Sequence, residues 1–360
     1  ANFTSILYIP SKAPYDLFTN IEPHGLHLFV KKVFIMDDCK TLLPGYLRFV
    51  KGVVDCDDLP LNVSREILQQ NKIVEKIKKA ITKKIINLLK EMSEKEPENY
   101  LKFWKEFGVV IKEGLYLDYE NKDKLADLLR YQSSGLGKDK LVSLKEYISR
   151  MKESQKDIYY ITCQNLNEGE ASPHIEIFNE KGIEVLFMTE PVDEWVVSSL
   201  TEYETKKLVS ITKGELDLGD LNKKEKEEAK KAEKELKNVS EIFRKFFQDK
   251  IKEVRTTSRL KSSPCCIVAD VGDMGANMEK LMKLANKEAP LSKKILEINP
   301  EHPVIKNLQK IADENAKNPR LEDWVKLLYD QALLAQGEKI EDPKQFNERL
   351  NKLLIDSLKN

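Results

Sequence analysis

The chain carries no net charge, because its 60 basic and 60 acidic side chains cancel. Without a global field, neither nucleic acid nor an anionic membrane is expected as a partner. Long apolar runs are missing too: no stretch approaches the roughly 18 residues of a membrane span. The opening residues, Ala1 to Pro10, lack the basic start and apolar run of a signal peptide. Residue 1 is not Met, as expected of a fragment or a processed chain. Cysteine is scarce. The five, Cys39, Cys56, Cys163, Cys265 and Cys266, are odd in number and lack CxxC spacing. That fits free thiols in a reducing compartment, so a cytoplasmic protein is expected. Of the four histidines, His24 and His27 stand three apart with no further ligand cluster, so no metal is expected. No GxSxG or other nucleophile signature occurs. GLGK at 135–138 lacks the earlier glycine of a phosphate loop, and Asp139 replaces its Ser or Thr, which leaves a surface loop.

What is present is charge without bias and enough apolar residues for real cores. Charged residues make up 33% and hydrophobic ones 41%. At 360 residues the chain exceeds one ordinary domain, so two or three are expected.

The first sixty residues read as strand and loop, with Ser5 to Ile9 and Leu26 to Met36 rich in β-branched and aromatic residues. From Asn71 to Met92 the period is helical. Val74, Ile77, Ile81, Ile85, Leu88 and Met92 recur at steps of three and four, and Pro97 marks the stop. Between Asp157 and Met188, DIYYIT and IEVLFMT flank a helical segment, which argues for a parallel strand pair in an α/β layer. Residues 1–220 are therefore read as α/β, in two packed sub-units. Asn222 to Lys237 is almost all Lys and Glu, a solvated helix expected to continue into Leu236, Val239, Phe243, Phe246 and Phe247. The domain boundary is placed near residue 220, giving domains 1–220 and 221–360. The second is read as α+β: CCIVADV is strand-like, and VIKNLQKIA, WVKLLYDQALLA and FNERLNKLLIDSL carry helical apolar stripes. Gly337 closes one helix, and Asp342 with Pro343 opens the last. These amphipathic helices are too few to cover each other, so a bundle completed by a second copy is expected.

One segment stands out: DLPLNVSREILQQNKIVEKI, from Asp58 to Ile77. An extended stretch runs through a polar loop, Asn62 to Gln70, into the strong helix. Arg65 in that loop is either a solvated surface arginine or a fork that reaches an anion from outside, with Gln69 four residues on.

LYIPSKAPYDLF, KKVFIMDDCKTLLPGYLRFVKGVVDCDDLPLNVSREILQQN, LLRY, KDIYYIT, EVLFMTEPVDEW and ANMEKLMK follow one another as in the HtpG-type ninety-kilodalton heat-shock chaperones. The chain resembles the middle and C-terminal segments of that family along essentially its whole length, and nothing in it resembles the family's ATP pocket. Composition and periodicity are only compatible with this likeness.

The resemblance implies a homodimer that works on unfolded or partly folded client proteins in an ATP-dependent cycle, with other chaperones as open candidates for further partners. ATP would be held by an N-terminal domain, so no cofactor is expected on this chain. Arg65 would reach the γ-phosphate, with Gln69 and Asn62 as its catalytic-loop neighbours. Glu194, Trp195 and Ser198 would contact clients, as would Met274, Met278, Leu281 and Met282 on an amphipathic helix. Read from residues alone, Trp195 is equally a buried anchor, and Met278 and Met282 ordinary core residues. Ser198 stands where relatives often have Asn. Cys266 falls at a position linked in the family to conformational control, against which stands the reading of Cys265 and Cys266 as inert buried thiols. The chain ends in LKN, without the acidic tail by which eukaryotic relatives recruit helical-repeat co-chaperones. Two rival readings stay open: a scaffold that only binds proteins, and a self-contained enzyme with a scattered site in the α/β region.

Overall fold

The computed structural model describes residues 2–18, 25–61, 68, 71–287 and 292–358. The fold is mixed α/β with open sheets, as the sequence suggests. The chain divides into two compact units. The first comprises 1–131, 141–146 and 192–203, and the second 132–140, 147–191 and 204–360.

In the first unit, β1 (Phe3–Tyr8), β2 (Leu26–Val30), β3 (Val33–Cys39) and β4 (Lys51–Cys56) form a sheet in the order β1-β4-β2-β3. The run Leu26 to Met36 reads as one strand but is a hairpin, β2 against β3. Lys31 and Lys32 turn it with φ of 48° and 66°. Both lie in the left-handed region that such a turn requires, where Asn-Gly is the usual signal.

α1 (Lys72–Lys95) starts at Asn71, whose side chain accepts from the Ile73 amide at 2.8 Å. Its buried stripe is Val74, Ile77, Ile81, Ile85 and Leu89, with Ile86 beside it. Leu88 is 52% exposed, because the 3.6-residue period carries the stripe from Ile85 to Leu89 instead. Pro97 opens α2 (Pro97–Leu117), where its missing amide hydrogen costs nothing. Phe103, Phe107 and Phe49 pack together beneath α2, the last two stacked at 4.7 Å.

In the second unit, β5 (Gln132–Ser133), β6 (Ile158–Thr162), β7 (Val185–Met188) and β8 (Lys206–Ser210) lie side by side in the order β5-β7-β6-β8. β6 and β7 run parallel, joined by α3 (Leu166–Ala171) and α4 (Glu176–Lys181), so the strand, helix, strand reading holds. The charged helix α5 (Lys223–Glu235) does not run on: the backbone breaks at Leu236, and α6 (Lys237–Phe246) begins anew. The break lets Leu236, Val239, Ile242 and Phe243 all enter one core.

That core lies against β9 (Ile251–Thr256), β10 (Cys265–Val268) and β11 (Lys294–Ile298), in the order β9-β11-β10. Between β10 and β11 lies α7 (Ala276–Leu284). The chain closes with α8 (Pro303–Glu314), α9 (Pro319–Ala335) and α10 (Pro343–Ser357). Asp342 caps α10 as expected, accepting from the Gln345 amide at 2.9 Å. Gly337 follows α9 with φ +67°, a conformation that favours glycine. No described helix is long and apolar enough to cross a membrane.

Candidate functional site

The residues singled out by sequence fall on separate surfaces. In the first unit, the short helix Asp193–Ser199 carries Glu194, Trp195 and Ser198. Its first residue anchors it. Asp193 is fully buried and meets Lys112 of α2 at 2.8 Å, both side chains almost without solvent. The same ammonium lies 4.5 Å from the Tyr131 ring centroid, so the cation is held by a carboxylate and an aromatic face together. At the other end, Lys122 donates to the Ser199 carbonyl, a cation placed where the helix dipole is negative. Ser198 Oγ donates to the Glu194 carbonyl at 2.6 Å, turning its hydroxyl onto its own helix.

Between these two anchors Trp195 is 42% exposed, so it is not a buried anchor. Tyr119, 88% exposed, shares Lys122 with this helix, its ring centroid 5.9 Å from the ammonium. Sequence reasoning found Trp195 through resemblance and missed Tyr119. The only local signal is an aromatic one residue past Asp118, whose side chain caps the turn that follows α2.

In the second unit, Met278, Leu281 and Met282 are half-buried on α7, and Met274, also half-buried, stands just before it. None is a core residue. The one fully buried position of α7 is Asn277.

A dense polar cluster lies deeper in this unit. Arg259, with no exposed surface, donates from Nε to Glu297 Oε2 at 2.9 Å, from Nη2 to the Gly214 carbonyl at 2.9 Å, and from Nη1 to the Ile211 carbonyl. Arg255 Nη2 reaches the other Glu297 oxygen at 2.7 Å. Burial pushes the Glu297 carboxyl up, but Arg259 and then Arg255 overcome it and hold it below the usual range. The carboxylate of Glu176 accepts from the amides of Lys261 and Ser262 and from the hydroxyls of Ser262 and Ser263. His174 is fully buried, with Nε2 at 3.2 Å from Gln336 Nε2 and Nδ1 without a partner among the described residues. Burial, and secondarily Arg259, lowers its pKa to about 3.

Cys265 and Cys266 are both buried; burial alone pushes the Cys265 thiol up to about 12, and burial first, with the Glu297 carboxylate second, pushes the Cys266 thiol well above its ordinary range. Neither is a thiolate at neutral pH, which is the inert reading. Among the described residues no group of three or more His, Cys, Asp or Glu is placed to hold a metal.

Asn62, Arg65 and Gln69 lie outside the described residues. Their flanks are described: β4 ends at Cys56, Leu68 is 2% exposed, and Asn71 caps the long α1.

The family model described as "Hsp90 protein" matches residues 1–360. The chain belongs to the Hsp90 family. It is 48% identical over 359 residues to the "Chaperone protein HtpG" of Aromatoleum aromaticum, covering 98% of this chain and 54% of that relative. It is 48% identical over 356 residues to that of Legionella pneumophila strain Paris, covering 99% and 56%. The same-named protein of Geobacter sulfurreducens is 46% identical over 357 residues, covering 99% and 55%. This family member thus spans about half the length of the curated relatives it matches.

Proposed function

We propose that this chain is the middle and C-terminal part of an ATP-dependent chaperone that binds and remodels unfolded or partly folded proteins. The observation that carries this reading is the pair of apolar surfaces that no core uses. Trp195 stands out from a helix pinned at both ends, and Met278, Leu281 and Met282 of α7 are only half-buried. Large apolar side chains held in solvent are costly unless something covers them, and flexible Met side chains suit partners of varied shape. The relatives' printed name, a chaperone, agrees with this use.

ATP is substrate for the whole protein. Arg65 would stabilise charge developing on the γ-phosphate, with Gln69 and Asn62 beside it, so that nucleotide state is coupled to domain docking. The loop leads directly into α1, a 24-residue helix whose buried stripe fixes the loop's base. Dimerisation would use the C-terminal helices, where α10 buries no residue.

The test is binding of reduced, carboxymethylated α-lactalbumin, a permanently unfolded probe, followed by fluorescence anisotropy. Trp195→Ala and the double substitution Met278→Ser/Met282→Ser should each weaken binding about tenfold or more, since buried aromatic and apolar anchors carry most of an interface's energy. Undiminished binding in both would remove the reading.

A further inference from the structure

α7 is built the wrong way round for an ordinary surface helix, which buries its apolar stripe. No apolar side chain of α7 is fully buried: Met278, Leu281 and Met282 are half-buried and Leu284 is 77% exposed. Apolar burial therefore holds it only in part.

Charge contributes the rest. Lys280 Nζ donates to Glu168 Oε1 on α3 at 3.0 Å and to the Gln336 carbonyl, just past α9, at 2.6 Å. The two side chains of this ion pair are only 14% and 17% exposed. One residue earlier, Glu279 accepts from Lys294 at the start of β11. Just before the helix, Lys213 donates to the Asp273 carbonyl at 2.8 Å. Gly337 makes room for the pair: a Cβ there would come within 2.9 Å of the Glu168 carboxylate and 3.0 Å of the Lys280 ammonium.

We propose that Lys280 and Glu168 are positioning residues that tether α7 against the rest of the second unit, and so set the presentation of the half-buried Met278, Leu281 and Met282. The helix is docked by side-chain charge, and it comes away as one piece when the pair is broken. A tether of this kind can be released by a competing charge without disturbing a core. With its side chains only 14% and 17% exposed, the pair is screened weakly by salt. The consequence for clients rests on the reading of the previous subsection, whereas the tether itself does not.

The experiment is hydrogen exchange of residues 276–284 in the 360-residue chain, at 0.05 M and 1 M KCl, for four proteins: wild type, Lys280→Glu, Glu168→Lys and the doubly reversed variant. Each single reversal should raise exchange in α7 about tenfold or more, the range of a charge-assisted hydrogen bond lost. Amides of β10 and β11 should keep their protection, which shows that the fold is intact; Lys280→Gln serves as the milder variant if they do not. The double reversal should restore most of the protection, short of all because the Gln336 carbonyl loses its donor. Salt should have little effect in any of the four, because the pair is largely shielded from solvent. Unchanged exchange in both single variants, or no recovery in the double, would overturn the tether. Binding of the unfolded probe, measured on the same proteins, separates the two proposals. Loss in the single variants with recovery in the double supports both. Altered exchange with unaltered binding upholds the tether and overturns the client role of α7.

Discussion

Lowering the pH from 7.5 to 5.0 should destabilise the second unit by about 2 kcal/mol through His174 alone. The side chain is fully buried with a pKa of about 3, depressed by burial first and by Arg259 second. In the unfolded chain a histidine titrates near 6.5. Between these two values the unfolded state binds one more proton than the folded state, so stability rises with pH and is lost as pH falls below about 6.5. Integrating to pH 5.0, one and a half units below the unfolded value, gives the figure of about 2 kcal/mol, and at pH 7.5 the loss is close to zero. Glu176 and Glu297, the nearby carboxylates, are both held below the usual range, so they stay ionised in the fold across this window; their small contribution near pH 5 is common to wild type and variants. The assay is urea unfolding followed by exchange at core amides of β6 and β7, at both pH values, for wild type, His174→Phe and His174→Gln. Each substitution has its own cost, common to both pH values, and it cancels in the comparison. The variants should show a pH loss smaller than the wild type by about 2 kcal/mol. An identical loss in all three proteins would refute the reasoning.

Lys112→Met should lower stability by about 3–5 kcal/mol, because Asp193 stays buried without its ammonium. Lys112→Met with Asp193→Leu should recover most of this, and thermal denaturation reads both. Arg65→Ala, made in the full-length protein, should reduce ATP turnover by about a thousandfold while leaving ATP affinity nearly unchanged; unaltered turnover would favour a scaffold that only binds proteins. Asp342→Ala should cost about 1 kcal/mol, seen as faster amide exchange in the first turn of α10.

The features legible in sequence are those fixed by neighbours along the chain. The stripe of α1, the parallel pair β6 and β7, and the start of α10 at Asp342 each follow from local period or capping chemistry. Where local signals compete, the reading slips. Two lysines make the β2–β3 turn, so the usual turn residues are absent, and Leu236 breaks a run whose Lys and Glu favour helix throughout. The Trp195 and Met surfaces were reached through resemblance, because an exposed tryptophan and a buried one have the same local pattern. Long-range ion pairs left no trace. Glu168 and Lys280 are 112 residues apart and Arg259 and Glu297 are 38 apart, each surrounded by many similar charges. Only the tertiary fold selects the partners.

The proposed function calls for two copies joined through the C-terminal helices. On α10, Leu354 and Ile355 are half exposed and Leu358 is 85% exposed, an apolar edge left uncovered within one chain. Light scattering across a dilution series measures this directly. A mass near twice 41.6 kDa that persists on dilution is the predicted result. A stable monomer at every concentration would contradict the account.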